Sequence, residues 1–104
     1  MHPSIKDHQQ EIAAICRRHG VGRLEVFGSA ARGDDFDPAR SDVDFLVEID
    51  PKRDAAFTMG DYLDLRDELS AVIGRPVDLV FPESVRNPFV RAEIERSREV
   101  IHAA

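Results

Sequence analysis

Residues 43–49, Val-Asp-Phe-Leu-Val-Glu-Ile, restrict the fold of this 104-residue chain more than any other segment. Apolar side chains alternate with other residues, and the segment is rich in β-branched and aromatic types, which is typical of a strand. Because successive strand residues point to opposite faces, one face is apolar and can join a core. That face carries Val43, Phe45, Val47 and Ile49. The chain is therefore expected to fold around a sheet that buries it.

The rest of the sequence predicts further strands and several helices. Helical spacing of apolar residues predicts a first helix that ends at Gly20, a second over 62–73, and a last one over 89–101. Residues 24–27 and 77–81 have the pattern of short strands. The expected order is α-β-β-α-β-α, an α/β (α+β) arrangement with a small sheet of at least three strands backed by helices. The length is enough for a single domain, 1–104, and not for two.

Two aspartates occupy the opposite face at the start of the central strand. Asp42 and Asp44 are two residues apart, so they share a face with Cα atoms about 6.5 Å from each other. Ionised carboxylates this close repel each other, and burial makes the charged forms still less favourable. A Mg²⁺ ion compensates such a pair well, because it binds a few carboxylates and keeps positions for substrate phosphates. The spacing therefore predicts Asp42 and Asp44 as metal ligands.

Asp78 repeats the pattern on the next predicted strand. Val77, Leu79 and Phe81 face one way, and Asp78 faces the other. If the two strands are neighbours, three carboxylates converge on one face and can hold one or two metal ions for phosphoryl chemistry. Taken singly, each of these acids more often marks a solvated strand end. A calcium loop at 34–37 is excluded, because it has no glycine at its sixth position and no acid at its twelfth.

A glycine and a serine follow the first predicted strand. A strand that ends in Gly28-Ser29 exposes backbone N–H groups and a hydroxyl, which suit the oxygen atoms of a polyphosphate. Gly28 allows the backbone to approach a ligand closely, and Arg32 can supply positive charge to the same phosphates. Alone, Gly-Ser is an ordinary turn. Together with the three acids, it predicts nucleotide binding by Gly28, Ser29 and Arg32.

The segments "GSAARG", "SDVDFLV" and "RPVDLV" together resemble the nucleotidyltransferase fold shared with polymerase-beta-like enzymes. The likeness is greatest to minimal nucleotidyltransferase domains, which are often antitoxins partnered with HEPN toxins, and it covers nearly the whole chain. It implies a mixed sheet and an enzyme that binds a nucleoside triphosphate with Mg²⁺ and transfers the nucleoside monophosphate to a hydroxyl. It also implies that Gly28 and Ser29 grip phosphate, that Asp42 and Asp44 are paired metal ligands, and that Asp78 is the third catalytic acid.

Charge and size indicate which acceptor to expect. A net charge of −6 disfavours non-specific binding to nucleic acid, which requires a basic surface. The chain is too short to add a second domain that would hold a small acceptor. We therefore expect AMP, donated by ATP, to be transferred to a tyrosine or serine hydroxyl of a docking protein. The resemblance implies that this partner is a HEPN ribonuclease toxin.

Two other functions stay open at this point. The chain could neutralise its partner by complex formation alone, as a non-catalytic antitoxin, or it could modify a small molecule, as aminoglycoside-type nucleotidyltransferases do. Its apolar runs are too short for a membrane span, and its first residues do not form a signal sequence. Cys16 is the only cysteine and has apolar neighbours, which predicts a buried thiol and a cytoplasmic protein.

Overall fold

The computed structural model describes residues 3–28 and 42–103, and within them four strands form one mixed sheet in the order β3-β2-β1-β4. The β1 strand is antiparallel to both β2 and β4, whereas β2 and β3 are parallel. The strands are β1 (Val21–Phe27), β2 (Val43–Ile49), β3 (Val77–Val80) and β4 (Glu99–Ala103). The predicted mixed sheet is confirmed, and β2 has the bounds that its alternation predicts.

The helices of the described residues are α1 (Pro3–Lys6), α2 (Gln9–His19), α3 (Met59–Ile73) and α4 (Pro88–Ser97). The first predicted helix is divided into α1 and α2, because the His8 N–H donates to the Ile5 carbonyl and so tightens the end of α1. Within the described ranges, no helix is both long enough and apolar enough to cross a bilayer.

The end of the chain corrects the predicted element order. The last helix stops at Ser97, and the segment Glu99–Ala103, which contains Ile101, forms the edge strand β4. Ile101 lies seven residues after Ile94, a spacing that a helix also produces, so periodicity alone does not separate the two structures. Pairing with β1 favours the strand. The order of α-helices and strands within residues 3–28 and 42–103 is therefore α-α-β-β-α-β-α-β.

The main core lies between α2, α3 and one face of the sheet. The apolar face predicted for β2 is part of it, since Val43, Phe45 and Val47 are fully buried. Leu65 and Leu69 of α3 pack there as expected. Burying a side chain of this size stabilises the fold by about 1.5–3 kcal/mol, so the alternation in β2 decides which face of the sheet meets the helices.

A smaller apolar cluster lies on the other face, under α4. It consists of Phe27, Leu46, Val85 and Ile94, with Val80 packed against it. Leu46 is two residues from Asp44 on β2, and strand geometry therefore puts them on the same face. The helix α4 thus covers part of the face that carries the acids and leaves the start of β2 and β3 beyond the cluster.

Cys16 is fully buried, as predicted. Burial raises the pKa of its thiol to about 12, although the neighbouring charge of Arg17 lowers it slightly. Because the thiolate is the reactive form, this cysteine is inert at neutral pH.

Thr58 begins α3 with a capping box. The Asp61 N–H donates to Thr58 Oγ1 at 3.1 Å, and the Thr58 N–H donates to Asp61 Oδ2 at 2.8 Å. Since the threonine hydroxyl satisfies a helix-end donor, Thr58→Ala should lower the free energy of unfolding by about 1 kcal/mol. Urea unfolding followed by circular dichroism measures this loss. An unchanged midpoint would show that the cap does not contribute.

Candidate active site

Parallel pairing of β2 and β3 places Asp44 opposite Asp78 in the sheet. Asp44 is also the partner of Phe27, the last residue of β1. The first residues of β2 and β3 therefore lie beside the last residue of β1, along one edge of the sheet formed by these strand ends. Asp42 is exposed and comes just before β2. The strand adjacency required by the sequence argument is thus present.

Asp44 is the least hydrated of the three acids. It is half-buried, whereas Asp42 and Asp78 are exposed. Burial raises the pKa of Asp44 to about 6, and the negative charges of Asp78 and Asp42 add to the shift. A raised pKa with these causes means that the site disfavours its own negative charge. Such a site is ready to accept a cation.

A hard divalent cation fits the donors at this edge. Among the described residues, the groups that shift the pKa of Asp44 include no cationic side chain. Carboxylate oxygens are the donors that Mg²⁺ prefers. Within residues 3–28 and 42–103, however, no group of three or more His, Cys, Asp or Glu side chains is arranged so that it could hold a metal ion. Two reasons account for this. Carboxylates repel each other when no cation lies between them, and a bound nucleotide would add phosphate oxygens as further metal ligands. Metal binding by Asp42, Asp44 and Asp78 stays a prediction.

Gly28 joins the end of β1 to this edge. Its φ angle is +76°, and a Cβ atom added there would lie 3.2 Å from Asp44 Oδ2. Both the left-handed backbone and the closeness of the carboxylate therefore favour glycine. The Gly28 N–H donates to Ser97 Oγ at 2.8 Å. Because this amide already donates to an acceptor within the protein, it does not provide the predicted contact to phosphate. The predicted role of Gly28 at phosphate therefore rests on its lack of a side chain and on its positive φ angle.

The other two residues predicted to bind nucleotide are Ser29 and Arg32. Both lie outside the described residues. Their roles at phosphate stay predictions from the sequence.

A buried ion cluster adjoins the turn, and sequence reasoning did not identify it. Glu25 of β1 is 1% exposed and accepts hydrogen bonds from Arg98 Nε and Arg23 Nε, each at 2.6 Å. Burial alone would raise the pKa of Glu25, but the hydrogen bonds from Arg98 and Arg23 outweigh it and hold the pKa below its ordinary value. A charged residue between Leu24 and Val26 was the only signal in the sequence, and nothing local indicated Arg98 as its partner.

A concavity of about 670 Å³ lies at the opposite end of the sheet, where β2 ends. Its lining includes four acids and one arginine: Glu48, Asp50, Asp54, Glu83 and Arg23. A surface with this excess of negative charge repels the phosphates of a nucleotide. The concavity does not include Asp44 or Asp78, which lie at the starts of β2 and β3, and its charge makes it a poor nucleotide site.

Comparison with known proteins identifies similar sequences over most of the chain. A family model described as "Nucleotidyltransferase domain" matches residues 10–101. A Methanocaldococcus jannaschii protein named "Putative protein adenylyltransferase MJ1379" is 36% identical over 93 residues, which cover 82% of this chain and 89% of the relative. The segment matched by the family model spans the turn at Gly28 and the positions of all three acids.

Solved structures share the fold. One described as a "putative minimal nucleotidyltransferase" has a TM-score of 0.72 and 29% identity, with 95% of each chain covered. Another, a tri-AMPylated Shewanella oneidensis HEPN toxin in complex with an MNT antitoxin, matches with a TM-score of 0.63 and 16% identity. That match covers 95% of this chain and 72% of the other, and at this identity it shows a common fold only.

Proposed function

This chain belongs to the nucleotidyltransferase domain family, and we propose that it transfers AMP from ATP to a hydroxyl group of a partner protein. The observation that carries the proposal is the pairing of Asp44 with Asp78 beside the glycine turn at the end of β1. Parallel strands bring together two acids that are far apart in the sequence, at a turn whose glycine closely approaches one of them.

The reaction requires neutralisation of charge. The hydroxyl oxygen forms a bond to the α-phosphorus, the bond from that phosphorus to the bridging oxygen breaks, and pyrophosphate leaves. Oxygen anions around the α-phosphorus repel the incoming hydroxyl. We assign Asp42, Asp44 and Asp78 as the residues that would hold Mg²⁺. When bound, this ion would neutralise triphosphate charge and favour the departure of pyrophosphate.

Other residues of the site are assigned to proton transfer and to orientation of the triphosphate. Asp78 is exposed beside the half-buried Asp44, so an acceptor hydroxyl can reach it, and we assign it to take the proton of that hydroxyl. Gly28 lets the turn approach the phosphates, where Ser29 and Arg32 would orient the triphosphate tail. No covalent enzyme intermediate is needed, which agrees with the inert, buried Cys16.

A HEPN toxin is the partner that we propose. Two comparisons support this choice: a relative is named as a protein adenylyltransferase, and a chain of the same fold is in complex with an AMPylated HEPN toxin. On this basis the protein is an antitoxin that inactivates its partner by AMP transfer to a side-chain hydroxyl.

Mass spectrometry of the partner tests the proposal. The protein is incubated with Mg²⁺, each common nucleoside triphosphate in turn, and a purified HEPN protein from the same organism. The partner should gain the mass of AMP with ATP, and an Asp42→Ala, Asp44→Ala double variant that retains its circular dichroism spectrum should produce no gain. An unmodified partner with every triphosphate would contradict the proposal. Equal protection of cells by the double variant and the wild type would show that binding alone neutralises the partner.

A further inference from the structure

Ser97, the last residue of α4, binds the glycine turn directly. Its hydroxyl accepts the hydrogen bond from the Gly28 N–H at 2.8 Å and donates its own proton to the Glu93 carbonyl at 2.7 Å. A hydroxyl has one proton, and the Glu93 carbonyl can only accept, so both directions are fixed. The backbone of α4 thus orients the oxygen that receives the Gly28 amide.

The end of α4 is itself fixed to the sheet. The Arg98 N–H donates to the Ile94 carbonyl at 2.8 Å, and the Arg98 guanidinium donates to the buried Glu25 of β1 at 2.6 Å. Ile94 packs in the apolar cluster under the helix. Ser97 is therefore held between a packed residue and an ion pair, so its hydroxyl has little freedom to follow a moving turn.

On its other side, the turn meets the acids. A Cβ atom at Gly28 would lie 3.2 Å from Asp44 Oδ2, so the turn and this carboxylate are already in near contact. A shift of the Gly28 backbone would change the space available to the carboxylate. The Gly28 turn therefore lies between the Ser97 hydroxyl, which it contacts through its amide, and the Asp44 carboxylate, which it closely approaches.

We propose that Ser97 is a positioning residue for nucleotide binding: its hydroxyl fixes the turn at Gly28 relative to Asp44. The proposal rests on the function proposed above. Ser97 acts through the turn, since its hydroxyl makes both of its hydrogen bonds to backbone atoms. Loss of the Ser97 hydroxyl weakens binding of the triphosphate by the turn and leaves the three aspartates in place. The KM for the nucleotide should therefore rise while kcat changes little.

Three variants test the proposal. Ser97→Ala removes the acceptor for the Gly28 amide and should raise the nucleotide KM by about three- to tenfold, the effect of one lost hydrogen bond. Ser97→Thr keeps the hydroxyl and should restore the KM to within about twofold of wild type. Thr58→Ala is the matched control, because it also removes a hydroxyl that accepts a backbone N–H at a helix end. Thr58 lies near the last residues of β2 and β3, whereas the acids lie near their first residues. The control variant should lower stability and leave the KM unchanged.

A direct measurement of nucleotide binding distinguishes failure of the Ser97 role from failure of the proposed function. The dissociation constant of a non-hydrolysable ATP analogue with Mg²⁺ is measured for each variant by calorimetry, and the Gly28 amide is followed by NMR. In Ser97→Ala this amide should exchange its proton faster, and the analogue should bind more weakly. Wild-type binding in Ser97→Ala, despite the faster exchange, would overturn the positioning role alone. An equal KM increase in Ser97→Ala and Thr58→Ala would also overturn it, because general destabilisation would then be the cause. A wild-type protein that binds no analogue would overturn this role and the proposed function together.

Discussion

Asp44→Asn should reduce the kcat/KM for nucleotidyl transfer by at least about a hundredfold. The variant removes the negative charge of the half-buried acid that is paired with Asp78. An amide has nearly the same shape as the carboxylate, so the fold should be retained. Transfer of radiolabelled AMP to the partner measures the loss. Glu48→Gln is the matched control, because it makes the same kind of change on the same face of β2, at the other end of the strand, and should keep full activity.

The same variant should make the metal-free protein more stable at neutral pH. Burial and the charges of Asp78 and Asp42 raise the pKa of Asp44 to about 6 in the folded state, above its ordinary value of 3.8. An acid of this kind stabilises the fold below its unfolded pKa, and that contribution is lost as the pH rises through the folded pKa. This shift corresponds to about 3 kcal/mol, and solvent screening reduces it because Asp44 is only half-buried. Ionised Asp44 imposes this reduced cost at pH values above 6, and asparagine removes it.

Urea unfolding with a chelator present, at about pH 8 and about pH 4, tests this second effect. Asp44→Asn should gain stability at the higher pH and little at the lower pH. A variant that is less stable than wild type at both pH values would mean that the carboxylate contributes to the fold rather than opposing it.

Glu25→Gln should lower the free energy of unfolding by about 2 kcal/mol at neutral pH, since charge-assisted hydrogen bonds to two arginines are lost. Glu25 is buried, and both of its carboxylate oxygens are used, one by Arg23 and one by Arg98. The arginines are partly exposed and regain some hydration, which limits the loss. The change should also loosen the end of α4, where Arg98 follows Ser97.

The pH dependence of the stability loss in Glu25→Gln identifies the cause of that loss. The pKa of Glu25 is held below its ordinary value of 4.5 in the folded state, because the hydrogen bonds from Arg98 and Arg23 outweigh the effect of burial. Its contribution is therefore present above the unfolded pKa and is lost as the pH falls through the folded pKa. The difference between wild type and Glu25→Gln should shrink as the pH is lowered below 4.5 and through the folded pKa. A difference that stays constant over this range would assign the loss to packing.

The sequence predicted the parts of the fold that depend on local pattern. The alternation in β2 gave correct bounds and the correct buried face, because burial of one face imposes a period of two. The adjacency of β2 and β3 is a condition of the sequence argument, and their parallel pairing meets it, as is usual for two strands connected through a helix. The family inferred from the turn and the acids is confirmed by the family model.

Long-range contacts could not be predicted in this way. Glu25 and Arg98 are separated by 73 positions, and Gly28 and Ser97 by 69, so no local spacing indicated either pair. The spacing of Ile101 from Ile94 predicts a helix, and the β1 strand that pairs with β4 is too distant in the sequence for any local pattern to indicate a strand instead. These contacts connect α4 and β4 to the glycine turn, and only the folded chain shows them.

Binding of Mn²⁺, a paramagnetic substitute for Mg²⁺, tests the central assignment most directly. Electron paramagnetic resonance counts the ions bound in the presence of a non-hydrolysable ATP analogue, in wild type, Asp44→Asn, Asp78→Asn and the control Glu48→Gln. Wild type and the control should bind the ion tightly with the nucleotide, and both aspartate variants should bind it at least about tenfold more weakly. Equal affinity in all four proteins would show that the acids at the starts of β2 and β3 do not hold the metal.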